Sequence, residues 1–197
     1  MHRIFYALIE MMAAAIFIIP IWYIYHKFYV HSWKRTIPYM IFGFYLIAML
    51  ALVGFPNITW MKIQFTVNII PFVYMRADFA NACLNILLFI PLGFFLPTLW
   101  NEFRNIKKTF WAGVTATSCI ELSQIFTNSA TDIDDIITNV TGTLIGYFIA
   151  RCLTKAFTKR ILTNSKIEDL YVVCASVIVV MFFFQPFFSS VLWGIIQ

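Results

Sequence analysis

Residues 82–99, ACLNILLFIPLGFFLPTL, carry no charged side chain and decide the fold class of this chain. A bilayer-spanning helix needs roughly 20 mostly apolar residues, and this stretch comes close to that length. The rest of the chain has the same character, since 61% of its 197 residues are hydrophobic and only 12% are charged. Soluble domains are near half apolar and about a quarter charged. The composition therefore predicts an integral membrane protein and excludes an ordinary secreted, cytosolic or disordered one.

Hydropathy predicts an all-α transmembrane bundle of about six helices, with five also possible. The predicted helices cover residues 4–25, 36–54, 82–99, 109–126, 135–152 and 170–192. We interpret the first as a retained helix and not a signal peptide, because its apolar run is long and Lys27, Lys34 and Arg35 follow it. Short connections leave no room for a separate soluble domain, so residues 1–197 are predicted to form one membrane domain.

The Lys and Arg residues are distributed unevenly between the two sides that six spans define. Eleven fall on one side and three, Arg3, Lys62 and Arg76, on the other. By the positive-inside rule the richer side is cytoplasmic, which places both termini and the 55–81 and 127–134 connections outside. The net charge of +5 thus reflects topology, and basic residues spread over short loops do not predict nucleic-acid binding.

The four cysteines are Cys83, Cys119, Cys152 and Cys174. They show no CxxC spacing and no histidine pattern that would complete a zinc site. We predict that they are small packing residues, and we predict neither a metal nor a cofactor.

Polar side chains recur near the outer end of several predicted helices. They are Glu10, Asn81, Asn85, Glu121, Gln124, Asp135 and Asn139. At 1.5 Å per residue, each lies within about 10 Å of the outer boundary of the bilayer. Apart from Glu10 they form pairs three or four residues apart, so each pair shares one helix face. Two interpretations stay open: contacts between helices worth about 0.6 kcal/mol each, or an outward-open pocket that binds part of a ligand.

Glu121 is the most informative of these residues. A carboxylate in hydrocarbon costs at least about 2.5 kcal/mol, so we expect this side chain to face protein or water and not lipid. Either the neighbouring amides donate hydrogen bonds to it or the acid is protonated.

An acidic segment, Thr131-Asp132-Ile133-Asp134-Asp135, precedes the fifth predicted helix. Acids at a helix N-terminus interact favourably with the dipole, and Asp134 is predicted to cap the first turn. The alternative is that the cluster meets a cation, either a basic group on an envelope molecule or Ca²⁺ or Mg²⁺.

Small and helix-breaking residues predict where helices approach or bend. Gly142 and Gly146 form a GxxxG pattern, which predicts a close helix contact. Pro91 and Gly93 interrupt the third helix and predict a kink, and Gln185-Pro186 predicts another in the last helix.

Three stretches resemble the VanZ-like family. They are Asn85-Ile-Leu-Leu-Phe89-Ile-Pro91-Leu-Gly93-Phe94, Glu121-Leu-Ser-Gln124, and Asp132-Ile-Asp134-Asp135-Ile-Ile-Thr-Asn139-Val-Thr-Gly142-Thr-Leu-Ile-Gly146-Tyr147. Asn68-Ile-Ile-Pro71-Phe72 is also similar to the segment before the family's first signature helix. The resemblance covers about residues 65–150. Many members have an arginine a few residues before the second acid, where this chain has Ser129.

The resemblance implies a small multi-spanning protein of the bacterial cytoplasmic membrane. The family is named for a member that lowers susceptibility to teicoplanin and related glycopeptide antibiotics, and no reaction is implied. Our first hypothesis is accordingly a non-enzymatic protein that binds or shields a lipoglycopeptide tail or a lipid-linked wall precursor at the outer leaflet. Its ligand-binding candidates are Asn85, Glu121, Gln124, Asp132, Asp135 and Asn139.

Three other functions remain open. A membrane enzyme acting on a lipid head group would use Glu121 as general base and the aspartates as metal ligands. The chain supplies no serine–histidine pair for it, and His2, His26 and His31 lie near the membrane ends. A transporter would need polar groups in both leaflets, and the inner half offers few. A scaffold would assemble through its small-residue face.

Overall fold

The computed structural model describes residues 2–59, 67–68, 70–72, 78–127, 131–157 and 165–196. Its helices in chain order are α1 (His2–Tyr25), α2 (Trp33–Val53), α3 (Phe79–Leu99), α4 (Ile106–Gln124), α5 (Ile133–Phe157), α6 (Ile167–Val179) and α7 (Gln185–Ile196). Two π-helical segments, His26–Val30 and Val180–Phe184, and a 3₁₀ turn, Asn101–Arg104, complete the helical part. Two short strands, β1 (Val67–Asn68) and β2 (Thr131–Asp132), pair in parallel. The predicted all-α class is confirmed.

Five described helical spans are long and apolar enough to cross a membrane. They are Phe5–Val30, Trp33–Val53, Phe79–Leu99, Ile133–Leu153 and Ile167–Val191. The protein is therefore a multi-pass membrane protein. The helix predicted at 109–126 forms as α4 but falls below this level of apolarity, because it begins with the exposed Lys107 and Lys108 and carries Glu121 near its end. Its 19 residues extend about 28 Å, close to the thickness of the hydrocarbon core.

Several helices begin before the apolar windows that predicted them, because polar caps precede the apolar run. The Asp78 side chain accepts a hydrogen bond from the backbone N–H of Asn81 at 3.1 Å, at the start of α3. Asn105 caps α4 in the same way, accepting from the N–H of Lys107 at 2.9 Å. Both caps satisfy N–H groups that have no partner inside the helix.

The chain contacts group into two compact units, Met1–Lys62 with Glu168–Gln197, and Ile63–Ile167. The first unit contains α1, α2, α6 and α7. Its buried Asp169 accepts hydrogen bonds from the hydroxyl groups of Tyr25, at 2.5 Å, and Tyr39, at 3.0 Å. Three helices are thus tied to one carboxylate at the beginning of α6.

A π-helical segment, Val180–Phe184, directly precedes Gln185-Pro186, and the kink predicted at that pair stays a prediction. Pro186 has no N–H group and so cannot bond to the carbonyl of Phe182 four residues earlier. That carbonyl instead accepts the backbone N–H of Ile58 at 3.2 Å. A segment following α2 thereby satisfies the group that proline leaves free, as the apolar surroundings require.

The second unit is organised around a close contact between α3 and α5. An ideal Cβ atom on Gly142 would lie 2.2 Å from the carbonyl oxygen of Ile86, and one on Gly146 would lie 2.0 Å from that of Ile90. From the other side, a Cβ atom on Gly93 would lie 1.8 Å from the carbonyl oxygen of Thr143. Only glycine allows the two backbones to approach this closely. The glycine face is therefore covered within the chain, and the scaffold hypothesis would require a different surface.

α3 runs from Phe79 to Leu99 with Pro91 and Pro97 inside it, and the kink predicted at Pro91 stays a prediction. All four cysteines are free thiols. Cys83 and Cys174 are half-buried, whereas Cys119 and Cys152 are exposed. The predicted packing role is therefore wrong for the latter two, since an apolar thiol suits a lipid-facing surface as well as a protein core.

Candidate functional site

The candidate site lies where the N-terminal ends of α3 and α5 meet the C-terminal end of α4. We call it the polar layer. It consists of Asn68, Asn85, Glu121, Asp132, Asp134 and Asp135. All six side chains are in the second unit of the fold.

Asn85 and Asp135 join α3 to α5. The side-chain N–H of Asn85 donates to Oδ1 of Asp135 at 2.6 Å. A bond to a carboxylate of this length is charge-assisted and stronger than one between neutral groups. The two residues share the glycine-lined contact between α3 and α5, and the close backbone approach brings their short side chains within reach.

Glu121 is only 3% exposed and points into the protein. Its Oε2 atom accepts the backbone N–H of Asp132 at 3.0 Å, which ties the end of α4 to the acidic segment before α5. Asp132 in turn bonds to Asp134, the neighbour of Asp135 in the sequence. Glu121 thus belongs to the same group of acids as Asp135, and it does not face acyl chains.

Asp132 caps α5, and the prediction that Asp134 does so is wrong. Helix α5 begins at Ile133, two residues before the apolar window, so the residue in front of it is Asp132. Oδ1 of Asp132 accepts the N–H of Asp134 at 2.9 Å, a typical capping contact. The same oxygen accepts the side-chain N–H of Asn68 at 3.0 Å, beside the parallel pairing of β1 with β2.

Asp134 instead holds the connection that precedes α3. Its Oδ1 atom accepts the backbone N–H of Phe72 at 2.6 Å. Its own carbonyl accepts the hydroxyl of Thr138 at 2.9 Å. The acidic segment therefore uses each aspartate differently: Asp132 caps, Asp134 anchors a loop and Asp135 joins two helices.

One helical turn deeper, Asn139 on α5 donates to the hydroxyl oxygen of Thr117 on α4 at 2.9 Å. The other side-chain atom of Asn139, Oδ1, is buried and finds no hydrogen-bond partner in the described part of the chain. The same holds for Oε1 of Gln124. Both atoms are acceptors that could receive a donor from a ligand or from water.

Two predicted polar residues are not members of the polar layer. The Asn81 side chain is exposed, although it was expected to act with Asn85. Glu10 belongs to the first unit. Ser129, which stands where many family members have a basic residue, lies outside the described residues.

Sequence reasoning missed three partners: the side chain of Asn68, the hydroxyl of Thr117 and the backbone N–H of Phe72. Asn68 and Phe72 lie in a stretch that the resemblance marked, but nothing in their spacing pairs them with acids some 60 residues away. Thr117 is four residues before Glu121 and so shares its helix face, which is a signal that could have found it.

The acids of the polar layer do not form an evident metal site. Among the described residues, no group of three or more acidic, histidine or cysteine side chains is arranged to hold a metal ion. Within the described chain these acids accept hydrogen bonds from five N–H groups, which belong to α3, the connection before α3 and the acidic segment.

Comparison with known proteins identifies a family. A family model described as VanZ/LLP1 matches residues 42–155, which is more than half of the chain and includes every member of the polar layer. No curated protein and no solved structure matches the chain significantly.

Proposed function

The chain belongs to the VanZ/LLP1 family, and from this premise we propose that it lowers the susceptibility of a bacterial cell to glycopeptide antibiotics such as teicoplanin. The proposed action is non-enzymatic. It takes place at the outer leaflet of the cytoplasmic membrane, on a lipoglycopeptide tail or on a lipid-linked wall precursor. The positive-inside distribution of Lys and Arg supports the placement of the polar layer on that side.

The observation that carries the proposal is the bonding of Glu121 and Asp135 into one polar layer from two different helices. Ionisable groups inside a membrane protein are costly and are retained mainly where they serve a function. Here Asn85 and the N–H of Asp132 partly compensate the two acids. About one turn farther along the same two helices, the buried acceptor atoms of Gln124 and Asn139 have no partner in the described chain. Such a layer suits recognition of a polar head group whose apolar tail stays in the bilayer.

The arrangement of the acids favours binding over catalysis. Glu121, Asp132, Asp134 and Asp135 each accept at least one hydrogen bond from the chain through a carboxylate oxygen. These bonds hold the ends of α3, α4 and α5 in fixed positions, as a largely pre-formed binding site requires. The layer therefore acts as a pre-organised recognition surface.

The test is a susceptibility panel in a glycopeptide-sensitive host with and without the gene. It compares a lipid-tailed drug, such as teicoplanin, with a tail-less drug, such as vancomycin. We expect a higher minimum inhibitory concentration with the gene, and a larger increase for the tailed drug if the outer leaflet is where the protein acts. An unchanged concentration for every glycopeptide would contradict the proposal.

Two charge-removing variants link the phenotype to the polar layer. Glu121→Gln and Asp135→Asn keep the size of each side chain and one acceptor oxygen, so they test the charge rather than the hydrogen bond. Glu102→Gln is the matched control, because Glu102 is exposed in the 3₁₀ turn after α3. At equal membrane abundance, the first two variants are expected to lose the phenotype and the control to keep it. A full phenotype in both would remove the polar layer from the proposed function.

A further inference from the structure

A short apolar turn, Ile70–Phe72, lies beside the polar layer and has no role in the proposed function. The side chains of Ile70 and Phe72 are 66% and 55% exposed, and Pro71 between them is exposed as well. Three consecutive exposed apolar residues indicate a surface that contacts lipid or another apolar partner.

Hydrogen bonds connect the turn to the polar layer. Oδ1 of Asn68 accepts the backbone N–H of Ile70 at 3.2 Å, while Nδ2 of Asn68 donates to Asp132. Oδ1 of Asp134 accepts the N–H of Phe72. Phe72 adopts a φ of 67°, in the left-handed region that bulky residues rarely occupy. Such a conformation persists only where surrounding contacts enforce it, and here they direct an aromatic side chain outward.

The hydrogen bonds also fix the depth of the turn along α3. Asp134, which holds Phe72, directly precedes Asp135, which bonds to Asn85. Asn85 is six residues into α3, or about 9 Å from its first residue. The turn therefore lies alongside the first two turns of a membrane-spanning helix, whose outward side chains at this level, such as Leu84, are apolar and exposed.

We infer that Ile70, Pro71 and Phe72 form an interfacial anchor, inserted into the lipid leaflet at the N-terminal ends of α3 and α5. The partner is the bilayer itself, at the boundary between head groups and acyl chains, where aromatic rings are favoured. The charge distribution predicts that this is the outer leaflet. The acids of the polar layer thereby gain a further role, since they hold the anchor in place. The inference does not depend on antibiotic resistance.

The experiment places a nitroxide spin label at position 70 or 72. Ile70→Cys and Phe72→Cys are made in a background in which the four native cysteines are replaced by alanine, and each protein is reconstituted into phosphatidylethanolamine–phosphatidylglycerol vesicles. Power-saturation EPR then compares collisions with oxygen, which concentrates in lipid, and with a water-soluble nickel chelate. Leu87→Cys, 60% exposed in the middle of α3, is the lipid reference, and Glu102→Cys is the water reference.

We expect labels at both positions to collide with oxygen more than with the nickel chelate, as the label at position 87 does. Ile70→Cys leaves the strained Phe72 in place, so the test stands even if Phe72→Cys relaxes the turn. An Ile70 label that collides with the nickel chelate as readily as the label at position 102 would overturn the inference. A label protected from both reagents would overturn it too, because the turn would then be covered by protein. Neither result would bear on the susceptibility panel.

Discussion

The contact between α3 and α5 predicts that alanine at Gly142 or Gly146 destabilises the protein. The added Cβ atom would meet a backbone carbonyl oxygen at 2.2 Å or 2.0 Å, whereas real contacts of this kind are essentially never under 3.0 Å. Because the obstructing atom belongs to a helix backbone, it cannot rotate aside, and the helices must separate by roughly 1 Å. A gap of that size forfeits about a quarter to a half of the dispersion energy of each affected contact.

The expected cost follows from comparable substitutions. Overpacking costs about 1–3 kcal/mol, and the higher helix propensity of alanine returns up to about 1 kcal/mol. The upper part of that range applies, since backbone obstructs both positions. We therefore expect each variant to lose about 2 kcal/mol, which corresponds to a fall of about 4–8 °C in Tm for a chain of this size.

Circular dichroism at 222 nm during heating in detergent measures this change. Gly194→Ala is the matched control, because Gly194 is also helical but a Cβ atom there meets nothing within 4 Å. We expect the control to melt at or slightly above the parent temperature. Gly142→Ala and Gly146→Ala variants as stable as Gly194→Ala would refute the close packing of α3 against α5.

Two further predictions concern buried hydrogen bonds. Tyr39→Phe removes a donor to the buried carboxylate of Asp169 and should lower the free energy of unfolding by about 1.5–3 kcal/mol. Tyr45→Phe removes a hydroxyl that donates to the thioether sulfur of Met49 at 3.4 Å, a weak acceptor, and should cost much less in the same denaturation assay. Thr117→Val leaves the side-chain N–H of Asn139 without its acceptor and should lower Tm. Thr115→Val, at an exposed position of α4, should not. Equal Tm values for the two valine variants would contradict the hydrogen bond between Asn139 and Thr117.

Much of the fold could be predicted from composition and spacing. Long apolar runs predicted the spanning helices, because no other backbone arrangement satisfies its polar groups in lipid within one segment. The helix starts were less well predicted, since hydropathy ignores caps such as Asp78 and Asn105. Helix α4 shows the limit of the method, because Lys107 and Lys108 at its exposed start and the buried Glu121 near its end lower its mean hydropathy although the helix forms.

The candidate site could be predicted only in part. Depth along each helix placed Asn85, Glu121 and Asp135 at one level, since helical rise is constant. Which residues bond to one another depends on how helices pack, and spacing within a helix carries no such information. The GxxxG pattern likewise predicted a close contact without revealing that α3 provides it. The role of Asp132 as cap was missed because it depends on the first residue of α5.

The convergence of polar groups from different helices is the central claim, and a double-mutant cycle on Asn85 and Asp135 tests it most directly. Unfolding free energies are measured for Asn85→Ala, Asp135→Ala and the double variant in mixed micelles, with Leu87→Ala and Asp135→Ala as the reference cycle. The 2.6 Å bond predicts a coupling energy of at least about 0.6 kcal/mol, the average for hydrogen bonds between membrane helices. The reference pair, whose leucine faces outward, is expected to show none. Additive effects of Asn85→Ala and Asp135→Ala would contradict the claim that the two helices meet at these side chains.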